Sequence, residues 1–321
     1  MLSRRESLKV GALLSGAVGS EFFLSGCDSI ISPRQQRQEQ LKKALEISEL
    51  AFIEQSIEGL PDPDYSVRNA GTRDRIIEEN WQETIDPTRI STDPTRFPQM
   101  SSEEKTTVTR QYFLEYLIPK MTNSQFTPFR DAIDYLGINV LSNNQIPNIG
   151  GLVKFEILSF GTDPPPDITS VALAATTRRL HSDNNLWYYT VSINSDRFYQ
   201  ASGFESDLDI ALALHNEING HIKFANQIFN DYQQITGNSE VPDSLFNNYL
   251  KFDRHSEAYA LWVRSAALES LVDIDPDIIV IGFYQPAVET RRNLINNPPE
   301  NFTGPLWLSG EWSRILLNYY P

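Results

Sequence analysis

The chain has 321 residues, 40% hydrophobic and 11% aromatic, with 27 basic against 42 acidic side chains and a net charge of −15. It is long enough to bury a core as one large domain or two small ones, and so acidic a chain argues against nucleic acid, whose phosphates need a basic face. The single cysteine, Cys27, excludes an intrachain disulfide and any cysteine-rich zinc site.

The N-terminus reads "SRRESLKVGALLSGAVGSEFFLSGC". Ser3-Arg4-Arg5 followed by Leu8-Lys9 resembles the twin-arginine export signal, with Ser7 where that signal usually carries Phe. The segment behind it is mildly apolar and contains Glu21, too short and too weak to span a bilayer. It closes on Leu24-Ser25-Gly26-Cys27, which resembles a lipobox. The resemblance implies removal of residues 1–26 as a signal peptide, lipid on the Cys27 sulfur, and a bacterial cell-envelope location anchored to a membrane. The leader holds Arg4, Arg5 and Lys9 against Glu6 and Glu21, a net +1, so its removal takes −15 to −16.

Residues 27–37 are polar and read as a tether. Residues 38–58 carry apolar positions at Leu41, Leu45, Ile47 and Leu50, and predict a helix ended by Gly59 and the Pro61/Pro63 pair. A shorter helix is expected around Arg75–Trp81. Ser101 or Ser102 with Glu103 and Glu104 opens another to about Ile118, and Pro128–Tyr135 gives one more. The region 38–145 is therefore expected to be mostly helical. Three runs rich in β-branched and aromatic residues follow, at 152–160, 168–176 and 187–195, and suggest a small, mainly antiparallel sheet. A long helix over about 206–235 comes next, opened by Ser206, Asp207 and Asp209. A short helix near Asp243 and a longer one over about 253–272 complete this part. The remaining 273–321 holds "DIIVIGFYQP", a strand or part of a helix, and an amphipathic piece at Ser309–Tyr319. The fold class is α+β, as one globular domain over 38–321.

The chemistry concentrates in "LALHNEINGHIKFAN", residues 212–226. The chain has four histidines, and His215 and His221 sit here with Glu217. On a helix centred on Ile218, His221 and His215 fall about 60° to either side, and Glu217 lies about 100° off beside His221. Glu217 and His221 share a face, His215 does not, and a π-bulge near Asn219-Gly220 is the distortion that would gather all three. Downstream, "FDRHSEAYALW" adds His255 and Glu257 on the next major helix. Imidazole and carboxylate bind zinc and similar ions where thiolate is lacking. His181, in "RRLHSDNN", reads as a loop residue.

The order strand, histidine-bearing helix, later acidic helix resembles the zincin-like metallopeptidases over residues 150–272. That resemblance implies His215 and His221 as ligands of a zinc ion, Glu217 as the base for metal-bound water, and Glu257 as a further ligand, with His255 the other donor in reach. The family motif is His-Glu-x-x-His; here the histidines are six apart, with Asn216 between His215 and Glu217. Two functions follow as expectations. One is a metal-dependent hydrolase, peptidase-like, acting on a protein or peptide substrate. The other is a non-catalytic envelope lipoprotein on a degenerate metallopeptidase scaffold that binds a protein or glycan. A carboxylate/histidine metal site in a helical bundle is a third option, and it lacks the paired Glu-x-x-His motifs. The segments "LWYY" and "NFTGPLWLSGEW" read as core aromatics. G-x-S-x-G, G-x-G-x-x-G and P-loop patterns do not occur.

Overall fold

Caps written into the sequence set the helix boundaries of the protein. A computed structural model describes residues 32–65, 67, 69–79, 81, 99–136, 145–148, 151–161, 174–180, 187–198, 207–238, 241–242, 244–247, 249–274 and 284–319. The expected signal peptide, Cys27, His181 and residues 168–173 and 277–283 lie outside them. The chain divides between Arg37 and Gln38, and Gln38–Pro321 form one unit.

Helix α1 (Pro33–Ile47) begins inside the stretch read as a tether, and α2 (Glu49–Ile57) follows after one residue. The expected single helix over 38–58 is broken because Ser48 adopts an extended conformation and its hydroxyl accepts from Ala51 N–H at 3.0 Å. An N-cap in that geometry cannot also continue the preceding helix. Asn69 caps α3 (Ala70–Glu78) in the same way. Ser101 and Glu104 form a reciprocal capping box at the start of α4 (Ser102–Tyr112). That helix passes through a π-helical turn, Phe113–Leu117, into α5 (Ile118–Asn123), and α6 is Thr127–Leu136.

Four strands follow: β1 (Gln145–Asn148), β2 (Gly151–Leu158), β3 (Ala174–Leu180) and β4 (Trp187–Asn194), in the order β1-β2-β4-β3. β1 has no counterpart among the expected runs, and β3 contains 174–176 of the run expected at 168–176, the rest of which lies outside the described residues. The outer pairs β1–β2 and β3–β4 are antiparallel, but the central pair β2–β4 is parallel, with Phe155 opposite Val191. The sheet is therefore mixed. The two parallel strands are locked together at their ends: Asp196, just past β4, accepts from Ser159 Oγ at 2.7 Å and from Gly161 N–H at 2.9 Å. Side-chain tethers of this kind hold a parallel register that no hairpin turn can set.

The long helix runs as α7 (Asp207–His215), a π-helical segment Asn216–Ile222, and α8 (Lys223–Thr236), ended by Gly237 in the left-handed conformation at φ 71°. After α9 (Ser244–Asn247) comes α10 (Tyr249–Ile274), then α11 (Gln285–Asn296) and α12 (Gly310–Tyr319). α11 opens at Gln285-Pro286, the end of the run expected to be a strand or part of a helix.

α7 and the π segment are buried nearly all round, which marks the helix as the central element rather than a surface one. α10 packs against the π segment, and the C-terminal helices close over α10: Trp262 and Trp312 meet edge to face at 4.8 Å, and Trp312 Nε1 donates to Ala258 O at 2.9 Å. Trp307 and Trp312 are both buried in the core, while Phe302 of the same segment is partly exposed. Among the described residues no helix is long and apolar enough to cross a membrane. At the level of fold class the protein is α+β, with helices predominating.

Candidate functional site

The π-helical segment carries two of the singled-out residues, Glu217 and His221, with His215 just before it. It includes Asn219-Gly220, the place where a π-bulge would gather the three side chains, but it does not bring His215 to His221. At Gly220 the two long helices almost touch. A Cβ built there would lie 2.7 Å from both Cα and Cβ of Ala260. The absent side chain lets α10 approach the widened turn, and this crossing aligns the residues on either side of it.

Next to the crossing, His221 meets α10. Its Nδ1 lies 2.8 Å from Ser256 Oγ, and its Nε2 lies 3.6 Å from Glu257 Oε2. The His221 side chain is 15% exposed and that of Glu257 31%, so the pair sits at the edge of the core with access to solvent. If Nδ1–H donates to Ser256 Oγ, the lone pair of Nε2 faces the carboxylate. A hydrogen bond on one ring nitrogen that frees the other is the arrangement by which metal-binding imidazoles are oriented. The expected meeting of 221 with 257 is thus present, and Ser256 is a partner that the sequence reading passed over although it lies between two singled-out residues.

His215 goes elsewhere. It is fully buried, and its Nε2 lies 3.2 Å from the hydroxyl of Tyr65, whose ring it meets edge-on at 5.5 Å. Burial pushes the imidazole down to about pKa 3, reinforced by the positive charges of Lys223 and Arg264, so it is neutral at ordinary pH. The same burial raises the Tyr65 hydroxyl far above its ordinary value, with Tyr259 and Asp131 contributing, so it stays protonated. Tyr65 comes from the proline-dotted loop after α2, some 150 residues away, which is why no local pattern announced it.

Glu217 is also buried, its Oε1 3.5 Å from Asn216 Nδ2 within the π segment. His255 precedes Ser256 on α10 and is partly exposed. Among the described residues, no group of three or more His, Cys, Asp and Glu side chains comes together in a way that could hold a metal ion. His221 and Glu257 have the chemistry and spacing of two donors; His215 does not join them.

Two further polar clusters flank the helix. At its start, buried Asp207 accepts from Tyr112 hydroxyl and from Lys120 Nζ at 2.7 Å, with the ammonium 4.8 Å from the centre of the Trp81 ring. Along the side facing α6, Asn219 Nδ2 donates to Pro128 O at 3.2 Å and Asn226 Nδ2 to Tyr135 hydroxyl, with Lys223 between them. No protein-family profile, curated protein or solved structure matches the chain.

Proposed function

We propose that the protein is a bacterial envelope lipoprotein, exported through the twin-arginine route and anchored by lipid on Cys27, whose zincin-like helix pair serves as a non-catalytic scaffold that binds a protein or glycan partner. The observation that carries this reading is the placement of His215. A ligand histidine needs a lone pair directed at the ion, and here the ring is sealed in the core against Tyr65. Without it, the resemblance to the metallopeptidases loses the first histidine of their motif, and Glu217 lacks an ion on which to activate water.

A second reading, a metal-dependent hydrolase, is favoured by one specific observation: His221 Nε2 and Glu257 Oε2 face each other at 3.6 Å with Ser256 orienting the ring. In that reading a zinc ion would be held by His221 and Glu257 and would supply a polarised water, for which Glu217 would be the base.

Metal analysis of the protein prepared in zinc separates the two. Zinc at background level, with a thermal midpoint unmoved by chelator, supports the scaffold. Near-stoichiometric zinc that is lost in His221→Ala overturns it in favour of the hydrolase.

A further inference from the structure

Residues 61–65, Pro-Asp-Pro-Asp-Tyr, lie in the connection between α2 and α3 and form neither helix nor strand. Among the described residues, no main-chain hydrogen bond holds them to another main-chain group. Side chains of α10 and α11 hold them instead. The Tyr259 hydroxyl donates to Pro61 O at 3.1 Å, Trp262 Nε1 to the Asp62 carboxylate at 2.7 Å, Arg291 Nη2 to Pro63 O at 3.2 Å, and Ser270 Oγ to Tyr65 O at 2.6 Å. From Tyr259 to Ser270 the helix rises about 16 Å, and the four steps from Pro61 to Tyr65 reach about 13–14 Å when extended. The strap therefore runs close to fully extended along α10 and in the same direction, with side-chain reach covering the remainder.

The donors are positioned by the core and not by the strap. Tyr259 and Trp262 are buried, the first edge-on to Trp307 at 5.3 Å and the second to Trp312 at 4.8 Å. Arg291 is 6% exposed, pinned by Glu269 at 2.5 Å, with its guanidinium 5.0 Å from the centre of the Trp262 ring. Pro61, Asp62 and Asp64, in contrast, are exposed. Lifting the strap leaves preorganised donors without acceptors, a state that another chain relieves. Arg291 has further capacity, since its Nε is buried and makes no hydrogen bond among the described residues.

We propose that residues 61–65 are a displaceable occupant of a peptide-binding face on α10 and α11, and that an extended, proline-containing segment of a partner protein with an acidic side chain takes their place. This names the partner chemistry for the scaffold reading and rests on that reading. The face reads main-chain carbonyls at the first, third and fifth positions of its occupant, which is a polypeptide spacing. Prolines at the first and third positions bring no N–H that needs an acceptor, and each keeps the residue before it extended. A carboxylate is selected at the second position, where Trp262 donates at 2.7 Å and the Arg291 guanidinium lies 4.0 Å away. An aromatic ring is accommodated at the fifth, where Tyr65 reaches His215.

The test is fluorescence anisotropy of a labelled peptide, Leu-Pro-Asp-Pro-Asp-Tyr, titrated with the full chain and with its Asp62→Ala variant. Loss of the Asp62 carboxylate raises the fraction of molecules with the strap lifted, and apparent affinity rises with that fraction. The variant is expected to bind the peptide at least about tenfold tighter than the parent, the change that one charge-assisted hydrogen bond of ordinary strength makes. A peptide with alanine for its first aspartate is expected to bind the variant about tenfold more weakly by the same reasoning. No binding to a variant that thermal melts show to be folded overturns the proposal, as does equal binding of the two peptides. Binding of chitotetraose but not of the peptide assigns the face to a glycan and overturns the peptide partner.

Hydrogen exchange of two buried indoles in the parent chain gives a readout that does not depend on a variant folding. The Trp262 N–H is covered by the strap, and the Trp312 N–H is bonded to Ala258 O inside the core. The first is expected to exchange at least about tenfold faster than the second, because lifting the strap exposes it without global unfolding. Equal rates show that the strap leaves only when the whole protein unfolds, and overturn the proposal. The metal analysis fails separately: background zinc with no peptide bound overturns the strap proposal and leaves the scaffold, whereas stoichiometric zinc lost in His221→Ala overturns the scaffold whatever the peptide does.

Discussion

Gly220 and Ala260 are in contact so close that a side-chain carbon on the first would overlap the backbone of the second, at 2.7 Å from Ala260 Cα. The partner atom is main chain, so it cannot swing aside as the tip of a flexible side chain would. This contact fixes the separation and register of the two longest helical stretches, and so determines which residues of the π segment meet α10.

Gly220→Ala therefore separates helices. Alanine is the better helix former by about 1 kcal/mol, which alone would stabilise the protein. Overpacking opposes this with about 1–3 kcal/mol and wins, because the clash is with backbone. Urea unfolding is expected to show a lower midpoint for this variant. Ala260→Gly in the same chain recovers only part of the loss, since the Cα of residue 260 stays in place.

The buried imidazole of His215 makes stability fall toward acid. Its folded pKa is lowered to about 3 from 6.5, so below pH 6.5 the unfolded chain takes up a proton that the folded chain refuses. The unfolded state binds more protons there, and stability rises with pH through that window and is flat above it. The slope approaches about 1.4 kcal/mol per pH unit well inside the window. His215→Gln removes this contribution, and comparing parent and variant by urea unfolding at pH 7 and pH 5 measures it. Equal pH slopes for the two proteins would show that the ring titrates normally in the fold.

Asp207 and Lys120 form the most buried ion pair described here, with side-chain exposures of 1% and 15%. Lys120→Met leaves the carboxylate in the core with the neutral hydroxyls of Tyr112 and Tyr116 as partners. That change is expected to cost about 3–5 kcal/mol, the usual cost of stranding a buried charge. The double variant Lys120→Met/Asp207→Asn costs less than the single one, which a thermodynamic cycle would reveal as a positive coupling between the two positions.

The pairing of His221 with Glu257 is weak by comparison, because both side chains reach solvent. Glu257→Gln is expected to change stability by no more than about 1 kcal/mol, and by less as salt is added. Ser256→Ala removes the hydroxyl at His221 Nδ1 and costs about 1 kcal/mol. Its sharper signature is a change in imidazole tautomer, read from the nitrogen chemical shifts of His221. An unaltered tautomer would mean that Ser256 does not orient the ring.

Much of the helical framework is legible in the chain alone. The capping box at Ser101 and Glu104, the apolar face through Ile218 and Ile222, and the helices over about 102–118, 128–135 and 310–319 are local signals, carried by side chains three or four positions apart. Local signals also misled. Leu45, Ile47 and Leu50 continue one apolar pattern across Ser48, yet the serine ends a helix there because its hydroxyl has a free amide to cap. The strands near 152–160 and 187–195 are announced by their composition, but their parallel pairing is not, since it rests on Asp196 reaching across to Ser159 and Gly161.

Sequence by itself determined the α+β class and the clustering of histidine and carboxylate on two helices; it allowed a π distortion near Asn219-Gly220 without requiring one. Tertiary structure alone decided which donors converge. His221 finds Ser256 and Glu257 because Gly220 admits α10 at contact distance, and His215 finds Tyr65 because a loop from the far end of the chain closes over it. Periodicity reports the direction of a side chain around its own helix axis. It contains no information on what another helix, in its own register, places opposite.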